Sequence, residues 1–324
     1  MPGRGWKAGY MSHADTVNRL TLGGALAALA ISIVWGGNVV ALKVGLKTFP
    51  PFWSAFWRML TGVIVVGLWG WSQGFRLLPL KGERRWLAAL GVLFTVQIAA
   101  MNHGVALTSP AYAVVLLNSH PVFANVLGHY FVPQDRLSWT RVVGLALAFG
   151  GICAVFLGKP DASLGARPIL GNLIVTCSGF LLGSRTVYTQ RLVQTIDPVR
   201  PILWMMTCSL PAFLIGALIF EEPVLQPVGA EAIVAVLYQG AVVAGLCFIV
   251  WTTLLKTISP GLLSMFAFST PIFGVLLSAW IFEEAITPRL MFGVLAVTAG
   301  IIIATRTWQR SATPAVDIDG GQAP

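Results

Sequence analysis

Polar side chains recur inside an apolar run that extends from residue 111 to residue 133. Asn118 is followed by Asn125 and His129, seven and eleven residues later, and this spacing returns to within about 20° of one helical stripe. Amides in an apolar environment can bind the polar groups of a small molecule. We therefore expect Asn118 and Asn125 to contact a substrate. The structural alternative is hydrogen bonding between helices, worth about 0.6–2 kcal/mol per contact.

Other apolar runs contribute further candidate cavity residues. Asn38 lies well inside its run and is the second position at which we expect a substrate contact. Arg58 is expected to extend to the membrane surface, to stack on an aromatic ring or to hold an anionic group. Arg185 is interpreted as a residue that extends to the cytoplasmic surface. The complete candidate set is Trp35, Asn38, Arg58, Gln97, Asn102, His103, Asn118, His120, Asn125, Tyr188, Tyr238 and Gln239.

The residue patterns of common catalytic and cofactor sites are absent from the sequence. It contains no Gly-x-Ser-x-Gly elbow, no His-x-x-x-His metal pair and no phosphate-binding Gly-x4-Gly-Lys-Ser/Thr loop. The four cysteines lie singly inside apolar runs, which favours buried packing over metal binding. We therefore predict no catalytic residue, no metal and no cofactor. No carboxylate lies near the middle of a run, which favours facilitated diffusion, exchange or histidine protonation over a carboxyl proton relay.

The composition indicates the solvent in which these residues are placed. The 324 residues are 56% hydrophobic and only 10% charged, with a mean hydropathy of +0.79. Soluble domains carry roughly 25% charged residues, so this chain has too little polar surface for a globule in water. The net charge of +9 resides between apolar runs, where cytoplasmic loops concentrate basic residues. This distribution favours a membrane protein over a nucleic-acid-binding one.

Apolar runs of about 20 residues, the length that spans a bilayer as a helix, occur ten times. With the N-terminus in the cytoplasm, fourteen Lys and Arg residues lie on the inner side and five on the outer side. Lys43 is among the outer five and is expected to extend outwards. This asymmetry predicts cytoplasmic N- and C-termini. The runs cover residues 20–42, 53–72, 86–107, 111–133, 139–157, 169–190, 200–220, 231–256, 261–282 and 288–306.

The second five runs repeat the first five. "LTSPAYAVVLLNSHPVFANVL" (107–127) matches "TISPGLLSMFAFSTPIFGVLL" (257–277), which aligns Pro121 with Pro271 at an offset of 150 residues. Gly36 aligns with Gly183 at an offset of 147. Because five is odd, the second copy enters the bilayer from the opposite side, as in many secondary transporters. Both prolines are expected to kink their helices and to act as gating elements.

The order of these motifs resembles the EamA-type unit of the drug/metabolite transporter superfamily. The residues that carry the resemblance are "WGGNVVALKVGLKTFPP" (35–51), "AFWRMLTG" (55–62), "HPVFANVLGHYFVPQDRL" and "STPIFGVLLSAWIFEEAIT". It covers nearly all of residues 20–306. Two departures are Asp135 at the usual glutamate position and Met205 at the second-half position of Arg58. The resemblance implies a membrane carrier, often an exporter of amino acids, metabolites or toxic compounds.

We therefore expect an all-α integral membrane protein with ten transmembrane helices, arranged as two inverted five-helix EamA-type repeats. The predicted function is secondary transport, with export of a small metabolite, amino acid or amphipathic compound by alternating access. The alternatives are a polytopic membrane enzyme for acyl or glycosyl transfer and a non-transporting membrane receptor. The predicted partners are a small-molecule substrate and the lipid bilayer but no nucleic acid, and a homodimer is left open.

The predicted location is the inner cell membrane, with several membrane crossings. The chain divides into a cytoplasmic tail (1–19), a first repeat (20–157), a linker (158–168), a second repeat (169–306) and a disordered cytoplasmic tail (307–324).

Overall fold

A computed structural model describes residues 22–131, 138–158, 162–193, 195–224, 227–254, 266 and 269–311. Within these ranges the chain is helical and has no β-strand. Seven helical stretches in the described part are long and apolar enough to cross a membrane. They are Leu22–Gly45, Pro51–Ser72, Arg84–Leu107, Pro110–Phe131, Trp139–Phe156, Val199–Phe220 and Ala230–Trp251.

Some predicted spans consist of more than one helix, and the labels below follow chain order. The helices are α1 (Leu22–Gly45), α2 (Pro51–Ser72), α3 (Arg84–Leu107), α4 (Pro110–Leu117), α5 (His120–Phe131), α6 (Trp139–Phe156), α7 (Pro168–Leu192), α8 (Val199–Phe220), α9 (Ala230–Leu237), α10 (Cys247–Leu254), α11 (Thr270–Phe282) and α12 (Pro288–Ser311). A π-helix, Tyr238–Leu246, joins α9 to α10, and a short turn spans Ala162–Leu164. Helices therefore occupy the described parts of all ten predicted runs.

The run that contains Pro121 is interrupted one turn before the proline. α4 ends at Leu117 and α5 begins at His120, so Pro121 lies in the first turn of α5, where a helix needs no N–H donor. The Ser119 hydroxyl donates to the carbonyl oxygen of Leu116 and satisfies a helix-end acceptor. The break directly follows Leu117, whose carbonyl oxygen lies four residues before Pro121 and loses its N–H donor, and the gating role of Pro121 stays a prediction.

The equivalent interruption occurs in the second half. The Ser269 hydroxyl donates to the Phe266 carbonyl oxygen, and Pro271 is the second residue of α11. The pair of Ser269 and Phe266 is offset by 150 residues from the pair of Ser119 and Leu116. Both prolines thus begin helices, and the serine before each helix caps the preceding turn.

The two halves exchange equivalent helix contacts. A Cβ atom at Gly36 in α1 would lie 2.8 Å from the Thr270 carbonyl oxygen in α11. A Cβ atom at Gly183 in α7 would lie 2.8 Å from the His120 carbonyl oxygen in α5. These four residues are the partners that the sequence repeat aligns. Only glycine allows the two helix backbones to approach this closely.

Charged side chains at helix ends link separate parts of the chain. Lys43 Nζ donates to the carbonyl oxygens of Val105, Ala106 and Thr108, at 2.9, 3.1 and 2.8 Å. Lys43 therefore caps the C-terminus of α3, the helix end that the prediction places on the outer side, and its outward extension stays a prediction. Glu284 accepts hydrogen bonds from the Ala111 N–H in the first turn of α4 and from a hydroxyl in α11. These contacts satisfy free backbone groups at helix ends and thereby stabilise the helices.

Candidate functional site

Arg58 lies in the first half of α2 and is only 6% exposed. Its Nε and Nη1 atoms have no hydrogen-bond partner among the described residues. A guanidinium group stays protonated in proteins and carries five N–H donors. The fold therefore holds a positive charge in a buried position with at least two donors unused.

Arg185 lies in α7, in the other half of the chain. Its guanidinium carbon is 5.0 Å from the centroid of the Phe94 ring in α3. Arg185 is close enough to Arg58 and to His120 to interact electrostatically with both. Its side chain therefore points towards the interior of the bundle, and the interpretation of Arg185 as extending to the cytoplasmic surface is wrong.

His120 is the first residue of α5 and adds a third polar group to this region. Its Nδ1 atom lies 3.3 Å from the Leu117 carbonyl oxygen across the helix break. Because an α-helix carries a partial positive charge at its N-terminus, α5 adds to the positive potential around Arg185. We call Arg58, His120 and Arg185 the basic cluster.

The carboxylates that the structure describes do not neutralise the basic cluster. Glu83 binds Arg200, with Nη1–Oε distances of 2.7 and 2.8 Å. Glu221 caps α2, and Glu284 caps α4. The others in the described part are at the helix-capping position Asp197 or on the surface at Glu222, Glu231 and Glu283. In the described part of the chain, no carboxylate pairs with Arg58 or Arg185.

Asn38 and Trp35 are the candidates on α1. The Oδ1 atom of Asn38 is buried and has no donor within hydrogen-bond distance in the described part of the structure. The offset of 147 that aligns Gly36 with Gly183 also aligns Asn38 with Arg185. Equivalent positions in the two halves therefore carry an unpartnered amide oxygen and a member of the basic cluster. The Trp35 ring packs on Trp251, with 5.0 Å between ring centroids.

Asn118 and Asn125 lie on opposite sides of the helix break. The Nδ2 atom of Asn118 donates to the Val114 carbonyl oxygen, and that of Asn125 donates to the Pro121 carbonyl oxygen, both at 2.8 Å. Asn125 and His129 lie four residues apart on α5, whereas Asn118 lies in the break before it, so a stripe shared by all three stays a prediction. Each amide bonds within its own helix, and substrate contact at these positions stays a prediction.

Three buried amide side chains make packing contacts between or within helices. Gln97 in α3 donates to the Ser178 hydroxyl in α7 at 3.1 Å. Asn102 donates to the Pro51 carbonyl oxygen at 2.9 Å and thereby holds the first turn of α2. Gln239 donates to the Ala235 carbonyl oxygen one turn earlier at 3.1 Å. Each of Gln97, Asn102 and Gln239 also has a buried oxygen without a donor in the described part of the structure.

The remaining candidates contact residues outside the basic cluster. The His103 ring packs edge-on against Phe52, with 4.7 Å between ring centroids. The Tyr238 hydroxyl donates to the Val34 carbonyl oxygen at 2.6 Å, so it links the π-helix to α1. The Tyr188 hydroxyl donates to the Trp86 carbonyl oxygen at 3.2 Å. These contacts join neighbouring helices.

A surface groove of about 660 Å³ lies between the α2–α3 connection and α8. Its lining includes Arg76, Lys81, Arg84, Leu87 and Trp204. None of the predicted candidates lines it. Among the described residues there is no cluster of three His, Cys, Asp or Glu side chains that could hold a metal ion.

The chain matches known membrane proteins along most of its length. A model of the EamA-like transporter family matches residues 22–157 and again residues 169–306. An uncharacterised transporter, YoaV, of Bacillus subtilis is 22% identical, with 88% of this chain and 97% of the relative aligned. A probable amino-acid metabolite efflux pump of Salmonella typhimurium is 24% identical over 85% of this chain and 92% of the relative.

The fold is also similar to that of a solved crystal structure. The TM-score is 0.64 at 20% sequence identity, and the alignment covers 90% of this chain and 99% of the other. An inner membrane transporter, YedA, of Escherichia coli is a further relative, at 23% identity over 87% of this chain and 92% of the relative.

Proposed function

This chain belongs to the EamA-like transporter family, and from that premise we propose that it is a secondary transporter that exports a small molecule across the cytoplasmic membrane by alternating access. We propose ten transmembrane helices in two inverted repeats of five, with both termini in the cytoplasm. The repeats cover residues 20–157 and 169–306, joined by an external linker at residues 158–168.

The exchange of contacts between the halves carries this proposal. Gly36 meets α11 as Gly183 meets α5, at aligned positions. A two-fold relation between halves with an odd number of spans requires opposite orientations in the bilayer. Such an arrangement offers two states of equal architecture, one open to each side, when one half rocks against the other.

The helix breaks support movement at the interface between the halves. Discontinuous helices near mid-membrane occur in transporters because the interrupted backbone borders the substrate site. The breaks at Ser119 and Ser269 are equivalent, and α5 and α11 each pack closely on a helix of the opposite repeat. We propose that Pro121 and Pro271 fix the starts of these moving segments. The predicted gating role is thereby moved from the prolines themselves to the breaks that precede them.

The relatives favour export of a polar metabolite. Two of them are named probable amino-acid metabolite efflux pumps, at 22–24% identity. A membrane enzyme or a receptor would use the same apolar helices, but neither needs two halves that exchange equivalent contacts.

The test is counterflow in proteoliposomes that contain the purified full chain. Vesicles are loaded in parallel with unlabelled succinate, L-leucine, uridine or tetraphenylphosphonium, and the same radiolabelled compound is added outside. We expect transient, saturable accumulation of at least one probe that vesicles without protein lack. Folded protein that exchanges none of the four classes would contradict transport, and chemical conversion of a probe would favour an enzyme.

A further inference from the structure

We infer that the substrate of the proposed transport carries a carboxylate and that Arg58 and Arg185 bind it from the two halves of the chain. This inference rests on the proposed function and narrows its substrate to organic anions. The proposed function allows any small metabolite, amino acid or amphipathic compound. The inference is narrower because it excludes cationic compounds as substrates.

Arg58 places a positive charge in the interior without a protein acceptor for two of its nitrogen atoms in the described part of the chain. A buried charge is costly unless it is paired and hydrogen-bonded, and a guanidinium group cannot escape this cost by losing its proton. Arg58 is 6% exposed and has two nitrogen atoms without an acceptor among the described residues. A ligand oxygen would supply the missing acceptor. Planar bidentate binding of carboxylates is the geometry for which guanidinium groups are suited.

A second positive charge lies near Arg58. Arg185 lies within electrostatic range of Arg58, although the two residues belong to α2 and α7 of different halves. Two positive charges repel each other, and the repulsion grows as burial lowers the local dielectric constant, so their proximity destabilises the ligand-free bundle. An anion between them converts this repulsion into two favourable interactions. A site shared by both halves would also couple substrate binding to their relative movement.

The described part of the chain supplies no carboxylate as a counterion for the basic cluster. Each buried carboxylate in the described part of the chain caps a helix or pairs with another arginine, as Glu221, Glu284 and Glu83 do. No described carboxylate is left to hold a substrate ammonium group at the basic cluster. The N-terminus of α5 adds positive potential instead. A cationic compound is therefore repelled and an anionic one attracted.

The test compares matched ligands that differ only in charge. Binding of benzoate and benzamide, and of succinate and succinamide, is measured by thermal shift and by competition for counterflow on the full chain. We expect the carboxylate of at least one pair to bind and its amide to bind at least tenfold more weakly. Equal binding of both members of each pair, or binding by the amides alone, would overturn the inference.

Substitutions assign the binding to the two arginines. In Arg58→Gln and Arg185→Gln we expect carboxylate affinity to fall roughly 10- to 100-fold, since each removes charge-assisted hydrogen bonds. Arg58→Lys keeps the charge and should retain part of the affinity. Arg84→Gln, an exposed basic residue in the surface groove, is the matched control and should leave affinity unchanged.

Stability of the ligand-free protein separates binding from a structural role. Removal of either unpaired charge should leave the melting temperature unchanged or raise it, because like-charge repulsion is relieved. A large fall in melting temperature with unchanged carboxylate affinity would show a structural role and overturn the inference. Exchange of leucine, uridine or tetraphenylphosphonium that is unaffected by Arg58→Gln would also overturn it while leaving transport intact. Failure of all four counterflow probes would instead contradict the proposed function.

Discussion

Glu221 at the end of α8 binds the first turn of α2 through the backbone N–H of Phe52, at 2.7 Å. Its second carboxylate oxygen accepts the N–H of Trp53 at 3.0 Å. The second half of the chain thus supplies the N-terminal cap of a helix in the first half. A carboxylate in this position satisfies two free N–H groups and interacts favourably with the helix dipole.

Replacement of Glu221 should therefore destabilise the bundle. We expect Glu221→Ala to cost about 1–2 kcal/mol, within the range for loss of an N-terminal cap, as measured by thermal unfolding in detergent. Glu222→Ala is a matched control because the adjacent carboxylate is exposed. Equal melting temperatures for the two variants would contradict the capping role.

The glycine contacts between halves predict a paired effect. A methyl group at Gly36 or Gly183 would meet backbone atoms of the opposite helix at 2.8 Å, so each helix pair has to separate. We expect Gly36→Ala and Gly183→Ala each to lower the free energy of unfolding by about 1–3 kcal/mol, as overpacking does. Each single variant should also reduce counterflow, as measured in proteoliposomes. Gly150→Ala is the control because no atom lies within 4 Å of its added methyl group. A variant pair with opposite effects would contradict the equivalence of the two contacts.

Asn118 remains a predicted substrate contact beside the helix break. Its Nδ2 atom is used within α4, which leaves Oδ1 as the group for a ligand donor. We expect Asn118→Ala to reduce counterflow several-fold, while the melting temperature changes little because the residue is only partly buried. We expect Asn102→Ala to lower the melting temperature and to leave counterflow by the folded protein largely unchanged, since Asn102 holds the first turn of α2. Unchanged transport in Asn118→Ala would remove this residue from the site.

The position of the described carboxylates predicts independence from a proton gradient. Those described lie at helix ends or on the surface, and none lies in the basic cluster to relay a proton. We expect counterflow to persist with equal pH on both sides and a protonophore present. Strict dependence on an imposed gradient would contradict this expectation and direct attention to His120, which lies in the basic cluster.

The sequence predicts the helical segments of the described residues well, and seven helical stretches among these residues are long and apolar enough to cross a membrane. It also aligns Gly36 with Gly183, whose contacts are equivalent in the structure. It does not predict that Lys43 caps α3 or that Arg185 points inwards, since both depend on neighbours distant in sequence. The sequence repeat does indicate an inward position for Arg185, because its aligned partner, Asn38, is a predicted cavity residue.

The run that carries Asn118, Asn125 and His129 differs from the predicted helix at one point. The prediction assumed one continuous helix, whereas residues 118–119 separate α4 from α5. Pro121 indicated an irregularity, but proline is equally compatible with a kink and with the first turn of a new helix. The serine cap that distinguishes the two outcomes becomes visible only in the three-dimensional contacts.

Site-directed labelling tests the inverted duplication most directly. In a chain whose native cysteines are replaced, a single cysteine is placed at Ala166 in the linker or at Ser12 in the N-terminal tail. Intact spheroplasts are treated with a membrane-impermeant maleimide, before and after permeabilisation. We predict that Ala166→Cys reacts in intact spheroplasts and that Ser12→Cys reacts only after permeabilisation. Reaction of both positions from the same side would contradict the inversion and, with it, the alternating-access account.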